Sequence, residues 1–342
     1  METGHILSQD IFGFVTQGQE WMPFEWGWDV ITYNIFKIGG YNAISIFRTI
    51  IFLLMFFIYY IILRKFKVSA SLSILMFILI AFGIIDRLTP RPHIMSLLFF
   101  VLLLYLIISF RYFERKNIYL YFIPALFLLW ANSHMGIIAG MFLLGIYVCS
   151  EIITFFQSRK LSSKEVPSLD KKQLITLIGI FAASLLVMLL NPNGFATYVY
   201  AYSHTKMKLL ETINEWRSPF DTMFASGFVG NIYKVFLFSG ALTLYYAIKK
   251  KDLFFALVYA GFVIYSVRAV RFTVDYIVII AIFLTVAINF IIINLKGKGL
   301  SNFLNSSPVL KVILSILLIL MTSAIPSDNL YLKTLEYYRV SG

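Results

Sequence analysis

The chain has 342 residues, of which 60% are hydrophobic and only 13% charged, with a mean hydropathy of +0.82 and a formal net charge of +12. Those proportions exclude an ordinary soluble domain. The basic excess sits in short loops between apolar runs, where it sets topology and meets anionic headgroups, so nucleic acid is not an expected partner. A single cysteine, Cys149, leaves no disulfide framework and no CxxC redox or zinc-ribbon motif. The chain also lacks the alternating ten-residue segments of a membrane β-barrel.

The first element, residues 1–41, is wet, aromatic and acidic. Between Asp10 and Asp29 it carries three of the five tryptophans and four of the seventeen acidic residues. It has no signal-peptide core, and residues 29–40 read as an interface helix. Apolar segments long enough to suggest helical spans then follow near 42–63, 69–85, 93–110, 118–131, 135–156, 173–190, 229–248, 253–266, 270–293 and 309–325. The expected fold is therefore an all-α polytopic membrane protein of about ten transmembrane helices with a large first outer loop. The bundle spans 42–325 and includes a second outer loop at 191–228, and an outer tail covers 326–342.

Alternate connectors are basic: Arg64–Lys67, Arg111–Lys116, Arg159–Lys172, Lys249–Lys251 and Lys296–Lys298. The positive-inside rule puts them in the cytoplasm and the N-terminus of this chain outside. All four histidines (His5, His93, His134, His204) and all five tryptophans (Trp21, Trp26, Trp28, Trp130, Trp216) then fall on or near the outer face. An aromatic belt would populate both interfaces, so this one-sidedness points to a working surface outside. An outside N-terminus without a signal sequence is most simply repaired by a spanning helix preceding Met1. A natural N-out protein is the other reading.

Candidate site residues accumulate along that outer face. Asp10, among phenylalanines, and Glu25, between Phe24 and Trp26, are the carboxylates in aromatic settings suited to a tuned general base. Asp86-Arg87-Leu88-Thr89-Pro90-Arg91-Pro92-His93 is a turn stiffened by two prolines. It either presents Arg87, Arg91 and His93 to a ligand or is a solvated loop. Asn132 and His134 sit in the tight link Trp130–Gly136, where a lone histidine is more often a hydrogen-bonded structural residue than a ligand or base. No HExxH or comparable spacing supports a metal site, and no cofactor is expected.

Further along, the turn signal Asn191-Pro192-Asn193-Gly194 opens the second outer loop. A Tyr-rich run follows, reading as an interface-lying or re-entrant helix, and Glu215 and Trp216 sit near the loop's end. Arg268, Arg271 and Asp275 are spaced to share one helix face. Two readings of that face stand equally: arginines lining a phosphate-binding cavity, or an internal Arg271–Asp275 pair with Arg268 snorkelling outward.

Taken together, five stretches resemble the C-type glycosyltransferase superfamily, close to the dolichyl-phosphate-mannose-protein mannosyltransferase-like bacterial membrane proteins. They are the D-x-F-x-F-T…G…W…EW pattern (Asp10, Phe12, Phe14, Thr16, Gly18, Trp21, Glu25, Trp26), RPHIMS (Arg91 to Ser96), WANSHMG (Trp130 to Gly136), LNPNG (Leu190 to Gly194) and INEWRSP (Ile213 to Pro219). They occur in the expected order over nearly the whole chain.

The resemblance implies a helix bundle in a bacterial plasma membrane, with a polyprenyl-phosphate sugar donor arriving laterally from the outer leaflet and the catalytic carboxylate in the first outer loop. Members usually begin with a spanning helix ending in an acidic motif, and many carry a soluble domain after the last helix. The chain departs in both respects and is expected to be truncated at both ends, or an inactive relative.

The expected function is transfer of a sugar from that donor to an unspecified glycan, lipid or protein acceptor. Asp10 or Glu25 would activate the acceptor, and Arg87, Arg91, Arg268 and Arg271 would hold the lipid phosphate. His93, His134, Asn132, Glu215 and Trp216 complete the substrate-contacting set. The rival is a non-catalytic membrane scaffold or a lipid-linked-glycan transporter. A transporter should show paired broken helices and charges near the midplane, whereas here ionisable residues gather at one face.

Overall fold

The computed structural model describes residues 9–11, 13–160, 168–204, 206–207, 210, 212–294 and 312. The expected tenth span at 309–325, the outer tail, His5 and the basic run Lys296–Lys298 lie outside the described residues.

Among the described residues the secondary structure is helical, with no strand. The twelve helices are α1 (Trp26–Lys65), α2 (Ala70–Gly83), α3 (His93–Ile108), α4 (Ile118–Ala131), α5 (Ile137–Lys160), α6 (Lys171–Val187), α7 (Ala196–His204), α8 (Thr222–Ala225), α9 (Phe228–Ser239), α10 (Leu242–Lys250), α11 (Leu253–Ser266) and α12 (Val270–Asn294). Six stretches are long and apolar enough to cross a membrane: Trp26–Lys65, His93–Glu114, Ile137–Arg159, Lys171–Leu190, Phe228–Lys250 and Val270–Asn294. The chain is a helical membrane protein. Three shorter apolar helices, α2, α4 and α11, fall on the remaining expected segments within the described residues.

Two elements differ from the sequence expectation in informative ways. The interface helix at 29–40 and the first span are one 40-residue helix with a kink. Gly39 and Gly40 leave helical geometry there, and Gly40 adopts φ +60°, a conformation only glycine takes at little cost. The segment 229–248 is two helices, α9 and α10, with the break at Gly240 and Ala241.

Helix α12 is the axis of the bundle. From Tyr276 to Ala287 every residue is buried, and α1, α2, α3, α9, α10 and α11 pack around it. A helix apolar on all sides must be surrounded in this way. The outer surface is correspondingly greasy: Phe57, Phe122, Leu129, Phe156, Leu186 and Ile248 are exposed, as lipid-facing positions should be.

One end of the bundle is locked by charge. α3 runs on as a π-helical turn, Ser109–Glu114, which aims Arg111 between two carboxylates. Arg111 forms ion pairs with Glu151 of α5 and, at 3.0 Å, with Asp252 at the start of α11. Asp252 accepts a hydrogen bond from Tyr112 at 2.7 Å and caps α11 through the Phe254 N–H. Lys65 at the end of α1 pairs with Glu114 at 3.1 Å. His93 begins α3 and Arg111 follows its end, so the region described next lies at the opposite end, about 24 Å away along the helix.

Candidate functional site

The framework of this second end begins in the N-terminal loop. Gln9 and Glu20 form an isolated antiparallel bridge. Within the loop the Asp10 carboxylate accepts from the Gly13 N–H at 2.8 Å and the Thr16 hydroxyl at 2.5 Å. Short side chains that bond to nearby backbone in this way shape turns.

The loop delivers α1, whose first residues are tied to the α4–α5 junction. Trp26 Nε1 donates to Asn132 Oδ1 at 2.7 Å, and the Gly27 N–H donates to the Asn132 carbonyl at 2.9 Å. Asn191, buried at the start of the second loop, donates from Nδ2 to the carbonyls of Ala131 (2.9 Å) and Phe24 (3.3 Å). Its Oδ1 accepts from the Asn193 N–H and the Thr197 hydroxyl. Two asparagines thus fasten three segments distant in sequence around Glu25.

The α4–α5 link fixes the protonation geometry of His134. Its Nδ1 accepts from the Gly136 N–H at 3.0 Å and lies 2.7 Å from Ser96 Oγ. Ser96 in turn accepts from the buried indole of Trp130 at 2.7 Å. A backbone N–H can only donate, so Nδ1 is the acceptor and the ring proton sits on Nε2. Glycine is required at 136, since a Cβ there would come within 2.3 Å of Ser96 Oγ. Nε2 faces Glu25 Oε1 at 3.7 Å. Burial, reinforced by the positive fields of His93, Arg271 and Arg87, holds the His134 pKa well below its usual value, so the ring is neutral.

Glu25 is the complementary group. Removal from water, with the Asp29 charge adding, raises its pKa from 4.5 to about 7, against the opposing pull of Arg271 and a hydrogen bond from the Met135 backbone. A carboxyl poised there exchanges its proton near neutral pH.

Glu25 opens into a cavity of about 760 Å³, within the roughly 300–1,000 Å³ range of small-molecule sites. Arg87, His93, His134, Arg268, Arg271, Tyr265 and Asp275 contribute its polar groups, while Phe24, Leu97, Ile138, Phe142, Tyr200 and Phe272 are among its apolar and aromatic walls. Arg271 lies over the Trp216 ring with its guanidinium carbon 4.4 Å from the centroid, a cation–π contact. Asp275 accepts from the Tyr265 hydroxyl at 2.9 Å. The Arg271–Asp275 pair considered from the spacing is thus replaced by two other contacts, which leaves the guanidinium N–H groups available to an anion. Among the described residues, neither Arg268 nor Arg271 has a carboxylate within ion-pair distance.

The expected site residues do not all converge. Glu25, Arg87, His93, His134, Trp216, Arg268 and Arg271 line the cavity. Asp10 does not line it, and its carboxylate is engaged in its own loop. Asn132 is not a lining residue either: both ends of its side chain are bonded, Nδ2 to the Leu128 carbonyl at 2.8 Å and Oδ1 to Trp26, so it positions Glu25's segment. Glu215 pairs with Arg87 at 3.0 Å and lies 3.7 Å from Arg91, whose side chain stays 60% exposed at the rim. These two residues therefore bear on the cavity through Arg87. His93 donates from Nε2 to the Arg87 carbonyl at 2.6 Å, fixing the turn that carries Arg87.

Ser96, Tyr200 and Tyr265 were not singled out from sequence. Tyr200 and Tyr265 belong to aromatic-rich runs with no local mark, and Ser96 is the last residue of the RPHIMS element, a polar residue in an apolar helix to which no role was assigned. Among the described residues no three His, Cys, Asp or Glu side chains group to hold a metal ion. No protein-family model matches the chain, and no curated protein or solved structure is significantly similar to it.

Proposed function

We propose that the chain is a membrane glycosyltransferase of the C-type superfamily, with about ten spans, its N-terminus and the cavity on the outer face of a bacterial plasma membrane, and a polyprenyl-phosphate sugar as donor. The orientation is supported by the distribution of charge: Arg64–Lys67, Arg111–Lys116 and Lys249–Lys251 all belong to the end remote from the cavity, as the positive-inside rule requires of a cytoplasmic face.

The observation that carries the chemistry is a single one. Glu25, with its pKa raised to about 7, shares one partly apolar cavity with Arg268 and Arg271, two arginines without carboxylate partners among the described residues. In the proposed step, Glu25 accepts the proton of an acceptor hydroxyl as that oxygen attacks the anomeric carbon of the sugar. The bond from that carbon to the phosphate oxygen breaks, and the lipid phosphate leaves with both electrons, its charge held by Arg268 and Arg271. Arg87 contributes once ligand competes with Glu215 for it. His134 presents its Nε2–H beside the base, and aromatic walls such as Tyr200 and Trp216 suit the C–H faces of a sugar.

The test is transfer from a polyprenyl-phosphate sugar in proteoliposomes. Glu25→Gln keeps the shape and removes the base, so transfer falls by about 10²–10⁴-fold while the melting temperature holds. A Glu25→Gln protein with the wild-type rate removes Glu25 from the chemistry.

A further inference from the structure

Behind Glu25 a row of buried side chains points its donors in one direction. Trp130 of α4 is buried against Phe99, Phe100 and Phe127, with ring centroids 5.5, 4.8 and 5.7 Å away. Gly140 makes the room, since a Cβ there would come within 2.6 Å of the indole. An indole nitrogen can only donate, and it does so to Ser96 Oγ of α3 at 2.7 Å. That oxygen stands 2.7 Å from His134 Nδ1, which already accepts from the Gly136 N–H. The Ser96 proton therefore goes to Nδ1, and the imidazole keeps its own proton on Nε2. Nε2 is the atom that faces Glu25 Oε1 at 3.7 Å.

Each donor in such a chain polarises the next, so the last N–H donates more strongly than that of a free histidine. At 3.7 Å it is just short of a hydrogen bond, and a small rotation of the Glu25 carboxyl closes the gap. A carboxylate gains more from that contact than a neutral carboxyl does. We propose that Trp130 and Ser96 are positioning residues that lock His134 as a hydrogen-bond donor to ionised Glu25. The charged and titratable groups around the couple are Asp29 on α1, Arg87 and His93 before and at the start of α3, and Arg268, Arg271 and Asp275 around the start of α12. Of these, Arg271 also favours ionised Glu25, but in the proposed reaction its charge is taken up by the phosphate. The His134 N–H, with the Met135 backbone, then remains to keep the base ionised. The inference rests on reading Glu25 as the base of that reaction.

The experiment uses the full chain in nanodiscs without any sugar donor. Infrared difference spectra between acid and alkaline pH follow the Glu25 carboxyl, identified as the band that Glu25→Gln removes. The wild type is expected to titrate near pH 7. Loss of a hydrogen bond to the charged form raises that midpoint by roughly one unit in Ser96→Ala and in His134→Phe. Ser96→Thr retains the hydroxyl and the wild-type midpoint. Because Ser96→Ala strips the Trp130 N–H of its acceptor, Ser96→Ala/Trp130→Phe removes donor and acceptor together and is expected to show the same shift. Nitrogen NMR of isotope-labelled histidine, assigned with His134→Phe, is expected to find the His134 proton on Nε2.

In the transfer assay the same shift lowers the Ser96→Ala rate at pH 7 by about fivefold and leaves it near wild type at about pH 9, a recovery that a damaged fold does not give. An unchanged Glu25 midpoint in Ser96→Ala and His134→Phe overturns the proposal, as does a His134 ring with its proton on Nδ1. Either outcome leaves the transferase reading in place. A shifted midpoint in a chain that transfers no sugar upholds the hydrogen-bond chain and removes only the transferase reading.

Discussion

The two ends of this bundle use charge in opposite ways. At one end Arg111 is buried between Glu151 and Asp252, with Tyr112 completing the set. Each charge there is taken up by a partner on another helix. At the other end Arg268 and Arg271 face a cavity without carboxylate partners among the described residues, and Glu25 faces the same space. Charge in an apolar bundle is costly wherever it sits. Where it is cross-paired it fastens helices; where it is left open to a cavity it is available to a ligand. Buried charge at the two ends thus has two roles, and pairing tells them apart.

The largest expected effect falls at the paired end. Arg111→Ala leaves Glu151 and Asp252 buried without their counter-charge and destabilises the fold by about 3–5 kcal/mol, read by unfolding in detergent, whereas Arg268→Ala changes stability by no more than about 0.5 kcal/mol. Similar losses for both variants would erase the distinction between the ends.

A second expectation concerns Glu25 and pH. In the proposed reaction Glu25 acts in its ionised form, so the rate is expected to fall about tenfold per unit as pH drops below about 7 and to level off above it. The linkage to stability runs the other way. The folded pKa lies above the ordinary value of 4.5, so the neutral form stabilises the fold below that pH, and this contribution is lost as pH rises from 4.5 to about 7. A rate profile that is flat between pH 5 and 8 would contradict the assignment.

Next in size is Asn191→Ala, which strips the buried amide from the Ala131 and Phe24 carbonyls and costs about 1–3 kcal/mol. Because it also frees the segment carrying Glu25, transfer slows in the folded fraction, which an assay normalised to folded protein detects. The smallest effect is Asp10→Asn, which costs about 0.5–1.5 kcal/mol of loop stability and keeps the transfer rate. A rate collapse in that variant would return Asp10 to the chemistry.

Much of the fold was legible in the sequence because apolar runs of spanning length leave few alternatives to helix. The nine expected segments that fall on described residues each coincide with helix. What escaped was joining and breaking: polar residues such as Asn34 and Lys37 interrupt the apolar pattern before Gly39-Gly40, so a kinked helix reads as two pieces.

The site was legible as a list of outer-face polar residues, and seven of the eleven candidates meet in one cavity. Asn132, Glu215 and Arg91 stand outside its lining because a side chain's partner is set by tertiary contacts the sequence does not display. Asn132 answers Trp26, 106 residues away, and Glu215 answers Arg87. Asp10 is claimed by a threonine six residues on. The Arg111–Glu151–Asp252 lock was invisible for the same reason, since Glu151 lies inside an apolar helix and Asp252 follows a lysine run.

In the proposed function Arg268 and Arg271 hold a lipid phosphate. Equilibrium binding of a polyprenyl phosphate to the wild-type chain and to an Arg268→Ala/Arg271→Ala variant tests it most directly. Loss of two charge-assisted contacts predicts a dissociation constant raised by about 100-fold or more, with the unfolding transition in place. An unchanged affinity, or a weakened one accompanied by collapse of the fold like that of Arg111→Ala, would contradict it.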